Sequence, residues 1–291
     1  MQARCLRRGE EKKWYDLIGE ECRGFFTQST NYPPESHLII EENDRFIGGM
    51  EIIIDEPDVA ILLNPTIKTK DSLGAIEQLV SNGLNTAKSL NVQKILSLIH
   101  DSNDQLESIQ KILADFEFKL ELKKGLYSRE PIPIAYGNSN LQLNYKSLTD
   151  IGEELFIGLF GRVYQPDVFE TNSEKCFYGL KRGAVHTNRF YSGDWELAYL
   201  GEKAVGLTMP QVHDEQGEYG SNFYLGVTLE ARVKGIGLAL QRRAVDTLVK
   251  RGARMILGST DVKNIPMIRI FESLGYEFEE YQYFYKFKED K

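Results

Sequence analysis

Arg232-Val-Lys-Gly-Ile-Gly237 sets two glycines one residue apart, with two cations just ahead, between an apolar strand pattern and an amphipathic helix pattern. The first turn of a helix carries four backbone N–H groups without internal partners and a partial positive charge. Glycine there lets the backbone close around an anion with no side chain in the way. The expected chemistry is phosphate binding. The N–H groups of Val233, Lys234, Gly235, Ile236, Gly237 and Leu238 would converge on the anion, and Arg232 and Lys234 would add charge-assisted contacts. As turn residues alone, glycines at a helix start cost about 1 kcal/mol each relative to alanine.

Three phosphate motifs compete for this loop. A P-loop needs GxxxxGK[ST], but Lys234 precedes the glycines. A dinucleotide fingerprint needs GxGxxG, and Leu240 stands at the third glycine. Asp261, at the end of the next strand, could imitate the ribose-binding acid, so an NAD-type reading remains the lesser alternative.

The third motif accounts for more residues. Arg232-x-x-Gly235-x-Gly237 resembles the [RQ]-x-x-G-x-[GA] pyrophosphate loop of the GNAT acyl-CoA N-acyltransferase superfamily. The flanks "YLGVTLEARVKGIGLAL" and, downstream, "STDVKNIPMIRIFESLGYEF" resemble that family's strand–loop–helix and its next block, in order. The resemblance runs from Leu141 to the end and, faintly, through the first half. It implies acetyl-CoA as co-substrate and direct transfer of the acetyl group to a primary amine of a small molecule or peptide.

It also implies site residues. The backbone N–H of Leu225 would face the thioester carbonyl, where a donor stabilises the tetrahedral oxyanion. Leu225 and Val227 would line the cofactor, with Gly226 marking a bulge. Asn264 matches the Asn that contacts the cofactor near its pantetheine arm, and an N-cap role fits it equally well. One departure stands out: the position of the family's proton-donating Tyr, beside the cofactor, holds Phe271, which has no proton to give. Tyr224, Tyr281, Tyr283 and Tyr285 are the substitutes within reach of the sequence. Tyr283 is named as acid candidate, although aromatic packing on a strand explains the last three more simply.

A general base is harder to find. An ammonium with a pKa near ~10 must lose a proton before attack, yet Ser221-Asn222-Phe223 offers no carboxylate. Glu218, in "QVHDEQGEYG" with His213, Asp214 and Glu215, is the candidate, against a plain solvated turn. His37, His100 and His186 have no partner at catalytic spacing. A non-catalytic acyl-CoA-binding or interaction protein is therefore the contrasting class.

Composition bounds these readings. The chain has 291 residues, 42% hydrophobic and 27% charged, as in globular proteins with a substantial core. The net charge of −8 argues against a nucleic-acid surface. No apolar run reaches the roughly 18–20 residues of a membrane span, and no signal peptide is evident, so a cytoplasmic protein is expected. Cys5, Cys22 and Cys176 are scattered, without CxxC or His partners at ligand spacing. Reduced, mostly buried thiols and no metal site are expected.

The elements that must hold the loop follow from periodicity. In the second half, strands are expected over 141–148, 195–199, 204–212, 222–227 and 255–259, then 276–280 and 282–287 as two. Helices are expected over 149–163 (capped by Thr149 or Asp150), 173–181, 237–250 and 266–273. The first half follows the same order: Gly74 and Gly235 stand 161 residues apart, as do Leu96 and Leu257. We read two copies of one α/β fold, two tandem GNAT domains, each a mixed, mostly antiparallel sheet flanked by helices. The division expected is 1–130 for a degenerate N-terminal copy, 131–140 for a Pro- and Asn-bearing linker, and 141–291 for the acetyl-CoA-binding copy. Asp71 at the arginine position, Asp71 or Ser72 capping the helix, and Ile76 crowding the loop would deny the first copy its phosphate.

Overall fold

The computed structural model describes residues 3–18, 36–55, 59–68, 73–134, 141–213 and 217–288. Asp71, Ser72, Cys22, Asp214, Glu215 and most of the expected linker lie outside them. The chain forms two compact units, residues 1–123 with 280–291, and residues 124–279.

In the first unit, β1 (Ala3–Cys5), β2 (His37–Glu42), β3 (Arg45–Asp55) and β4 (Val59–Ile67) pair antiparallel in sequence order. The helix α1 (Glu11–Ile18) packs its Trp14 and Leu17 on this sheet beside Ile39. Next, β4 pairs parallel with β5 (Lys94–His100) across the helix α2 (Leu73–Ser89), as a strand–helix–strand unit requires. Ile76, Leu79, Val80 and Leu84 of α2 bury one face against β2, β3 and β4, with Ile109 and Leu113 of α3 (Leu106–Asp115) beside them.

The second unit repeats that order. After β7 (Asn144–Ser147) come three helices: α4 (Leu148–Ile151), α5 (Glu153–Val163) and α6 (Ser173–His186). Then β8 (Glu196–Leu200), β9 (Lys203–Val212) and β10 (Tyr219–Val227) follow antiparallel. Helix α7 (Ile236–Lys250) leads to β11 (Met255–Asp261), parallel to β10, and α8 (Ile265–Ser273) leads to β12 (Glu277–Phe287). One core, with Trp195, Phe156, Phe160 and Phe177, lies under α5 and α6. Two others, around Leu240 and around Phe271, lie under α7 and α8.

The closing strands are exchanged. The end of β12 (residues 280–287) pairs antiparallel with β5 in the first unit. The end of β6 (Phe118–Arg129) pairs with β11 in the second, Lys124 opposite Asp261 and Arg129 opposite Ile256. The expected division follows chain order, whereas the units follow strand pairing, so their boundaries fall inside β6 and β12.

Local differences from expectation have local causes. The helix expected over 149–163 is broken at Gly152 (φ +79°), and Ser147, not Thr149 or Asp150, caps α4 in a reciprocal pair with Asp150. The two expected final strands are one, because Tyr281 continues the pleat. Cys5 is exposed rather than buried. No helix among the described residues is long and apolar enough to cross a membrane.

Candidate active site

The site begins with a parting of strands. β10 and β11 pair over Tyr219–Ser221 and Met255–Leu257, and the pairing ends there. Just beyond, β10 bulges against β9 between Asn222 and Leu225. The bulge precedes Gly226, where it was expected. The side chain of Asn222 makes it possible, since its Oδ1 accepts the N–H of Met209 at 2.8 Å, and its Nδ2 donates to Gln241 Oε1 at 3.0 Å. Gln241 in turn donates to Tyr276 Oη at 2.8 Å. Gly226 serves packing instead, since a Cβ there would lie 2.6 Å from Val163 Cβ.

Past the bulge the strand is regular, and the N–H of Thr228 donates to Val205 O at 2.9 Å. Backbone groups alternate along a strand. The N–H groups of Leu225 and Val227 therefore turn to the opposite edge, which β11 has left open. Arg232 Nε takes the carbonyl of Val227 on that edge, at 3.2 Å. Leu225 and Val227 pack their side chains with Leu240 and Ile236, while the bulge sends both Phe223 and Tyr224 to the face of α5 and α6.

The glycine loop opens α7. Val233 and Gly235 both have left-handed backbones, with φ of +64° and +78°, and they flank Lys234. Val233 is wholly exposed, and a β-branched residue in this conformation is strained. The alternation curls the backbone into a concave turn just ahead of Ile236, Gly237 and Leu238, whose N–H groups have no carbonyl four residues back in the helix. Arg232 and Lys234 are exposed, and Lys234 Nζ reaches Glu230 O at 3.1 Å. At Gly237 a Cβ would sit 3.1 Å from Ile270 Cδ1, so this glycine lets α7 and α8 approach.

Other expected residues fall elsewhere. Asn264 caps α8, its Oδ1 accepting from Met267 N–H at 3.4 Å and its Nδ2 donating to Thr260 Oγ1 at 3.1 Å. Phe271 is 2% exposed, its ring against Gly258, Tyr127 and Tyr276, so it belongs to the core and presents no surface to a cofactor. Glu218 precedes β10 at its paired end, seven residues from Leu225 and so about 20 Å away along an extended strand. Such a carboxylate does not reach a carbonyl held by Leu225. Tyr283 lies in the first unit, opposite Ile99 on β5, with Lys123 Nζ 4.9 Å from its ring centre. Tyr281 receives the same lysine and Tyr285 is buried in that unit's core. His213 meets Ser221 Oγ through Nε2 at 2.8 Å.

Sequence reasoning missed the opposite wall. The loop between α5 and α6 is tied to β10, since Gln165 N–H donates to Tyr224 Oη at 2.9 Å. It is tied to itself through Tyr164 Oη on Glu170 O and Asp167 Oδ1 on the N–H of Phe169. It also meets β6: Lys124 Nζ lies 3.9 Å from Asp167 Oδ2 and 5.1 Å from the Phe169 ring centre. Burial pushes the Tyr224 phenol up to about 12 and that of Tyr164 higher still, so both keep their protons. Burial also lowers the Lys124 ammonium, against the opposing pull of Asp167, Asp261 and Cys176. Lys124 could not be found from spacing, because strand exchange alone brings it here.

The arrangement joins an open strand edge, a turned-out N–H and a cationic helix start. Residues 157–276 match the acetyltransferase (GNAT) family. This stretch is similar to a GNAT domain. Over 99 residues the chain is 26% identical to N-alpha-acetyltransferase 30 of Xenopus laevis, a match taking in 32% of this chain and 36% of that relative. The chain thus spans little more than a third of that relative's length. A GCN5-related N-acetyltransferase from Sphaerobacter thermophilus is similar in structure at a TM-score of 0.75 and 13% identity, over 98% of this chain and 94% of the other. A tandem GNAT protein from the clavulanic acid biosynthesis pathway is similar at 0.62 and 12%, over 98% and 97%. At such identities the likeness is one of fold, and the fold is that of tandem GNAT proteins.

Proposed function

We propose that the chain moves an acetyl group from acetyl-CoA to a primary amine, and that the GNAT domain's unit does so. The observation that carries this reading is the coincidence of the strand parting with the turned-out N–H of Leu225. The pyrophosphate would lie on the N–H groups of Val233–Leu238 with Arg232 and Lys234 beside it, and Val227 would line the arm leading inward. Leu225 N–H would hold the carbonyl oxygen as it gains charge, an interaction worth about 10²–10³ in rate. The residues present fit such a cofactor, since Val233 and Gly235 hold strained or glycine-only backbone angles that helix packing does not require.

Phe271 offers the thiolate no proton and Tyr224 holds its own, so the sulfur would take the proton released by the attacking nitrogen. The acceptor would be a small amine or a peptide, the latter suggested by the N-alpha-acetyltransferase relative. A second reading rests on Phe271 as well: with no acid at that position, the unit would bind acyl-CoA without turning it over. The two are separated by calorimetric titration with acetyl-CoA and by release of free CoA thiol. The thiol assay uses spermidine, glucosamine, lysine amide and a tetrapeptide with a free N-terminus. Binding together with thiol release on at least one amine supports transfer. Binding with no release on any leaves the second reading, and no binding removes both.

A further inference from the structure

Transfer requires a destination for the proton of the acceptor ammonium, and β10 supplies none. We propose that Lys124, carried into the GNAT unit by the exchanged strand β6, is the general base of the reaction; the inference rests on the transferase reading above.

Position comes first. Lys124 pairs with Asp261 at the end of β11 where the strands have parted. The β10–β11 register, carried through the bulge, sets Leu225 level with Thr260, one residue from Lys124's partner. Tyr127 packs on Phe271 under α8, and side chains alternate along β6, so Lys124 lies on the opposite face, that of α5 and α6. That is the face where Tyr224 packs against Phe160. The α5–α6 loop is held by Tyr224 on β10 and meets Lys124 on β6, the strand beside β11. Leu225 and Lys124 therefore stand two strands apart at the level where β10 and β11 separate, and the loop that covers that face reaches both strands.

Charge comes second. The titratable groups facing Lys124 are Asp167 from the loop, Asp261 from β11 and Cys176 from α6. Each carboxylate is already engaged through one oxygen, Asp167 by Phe169 N–H and Asp261 by Lys263 N–H at 2.8 Å. Burial favours the neutral amine, while the two aspartates stabilise the ammonium once formed. A base needs both conditions. The side chain keeps 22% exposure, which leaves a path for the proton to water.

Neutral Lys124 Nζ takes one proton from the acceptor's ammonium. The freed lone pair forms the C–N bond at the thioester carbon, and the carbonyl π pair moves to the oxygen held by Leu225 N–H. Collapse of that oxyanion breaks the C–S bond, and the second proton on nitrogen passes to sulfur, giving the amide and CoA thiol. Lys124 returns its proton to water.

The test compares wild type, Lys124→Arg and Lys124→Met on whichever of the four amines turns over. Arginine keeps the charge for Asp167 and Asp261 but cannot act as a base near neutral pH. Both variants should lose kcat about 10²–10⁴-fold and lose the rise of kcat with pH, with calorimetric affinity for acetyl-CoA unchanged. A Lys124→Arg protein within threefold of wild type and with the same pH limb overturns the proposal. A second measurement needs no turnover: ¹³C reductive methylation of the wild-type protein, followed by NMR titration. The Lys124 resonance, assigned by its loss in Lys124→Arg, should titrate below the other lysines. Titration together with them overturns the proposal. If no amine releases thiol, the transferase reading fails on that assay, while the titration still judges Lys124.

Discussion

Asn64 accepts hydrogen bonds through one oxygen from Asn103 Nδ2 at 3.0 Å and from His100 N–H at 3.4 Å, and so stitches β4 to the end of β5. It stands 161 residues before Leu225, the same interval that separates Gly74 from Gly235. Where the second unit parts its strands, the first continues its parallel pairing from Val59 to Leu63 and then fills the gap with an amide. Pro65 follows, without an N–H to offer. Gly74 lies within α2 and does not take the left-handed conformation of Gly235. Ile76 is fully buried in the core, so it does not crowd a loop as expected.

The full chain should therefore bind one acetyl-CoA. Gly235→Val should abolish that binding, since valine at φ +78° costs about 1–2 kcal/mol and sets a branched side chain where the phosphate would approach. Calorimetry on wild type and variant checks both points. A site of unchanged affinity persisting in a folded Gly235→Val chain would place the cofactor elsewhere. Cutting the chain near 131–140 would be a poor test, because each half would lose the strand that closes its unit.

Asn222 should matter to rate beyond its contribution to stability. Asn222→Ala removes the acceptor of a buried N–H, that of Met209, at a cost of about 1–3 kcal/mol. It also frees the bulge that turns Leu225 N–H outward. The expected result is a fall in kcat of about tenfold to a hundredfold, with the KM for acetyl-CoA within threefold. Equal losses in kcat and in folded fraction, by steady-state kinetics beside a urea titration, would reduce Asn222 to a packing role.

The glycine loop, the helix it opens and the order of strands were legible in residue types, because periodicity and φ preferences are local. Glu218, Tyr283 and Lys124 mark where that stops. Glu218 is near Leu225 in number, but an extended strand carries it to the far end. Tyr283 and Lys124 are placed by strand exchange, a choice between nearly equivalent edges that neither segment encodes alone. The His100–Glu280 and His37–Glu51 pairs join residues 180 and 14 positions apart. Spacing rules could not bring either together.

Phe271→Tyr, the replacement that would restore the family's acid, should not raise turnover. The ring is buried against Gly258 and between Tyr127 and Tyr276, so the added hydroxyl enters the core. Burying it without a partner costs about 1–3 kcal/mol. A lowered melting midpoint with no gain in kcat is expected. A higher kcat with an altered alkaline limb would mean that position 271 reaches the thiolate after all.

Glu51 makes the first unit sensitive to pH. Its carboxyl is buried on β3 with His37 Nε2 3.5 Å from Oε1, and burial pushes its pKa from the ordinary 4.5 to about 7. Between those values the folded chain holds a proton that the unfolded chain has released. Stability from this group is therefore full below about pH 4.5, declines as the pH rises through 7, and stays lost above it. The shift corresponds to at most about 3 kcal/mol. Glu51→Gln keeps the shape and removes the titration, so its unfolding free energy should fall less between pH 5 and 8 than that of wild type. Urea titrations of both proteins at the two pH values measure the difference, which should carry this sign and not exceed that size. Parallel pH dependence in the two proteins would show that Glu51 ionises in the folded chain as an ordinary carboxyl does, with His37 or water sharing its charge.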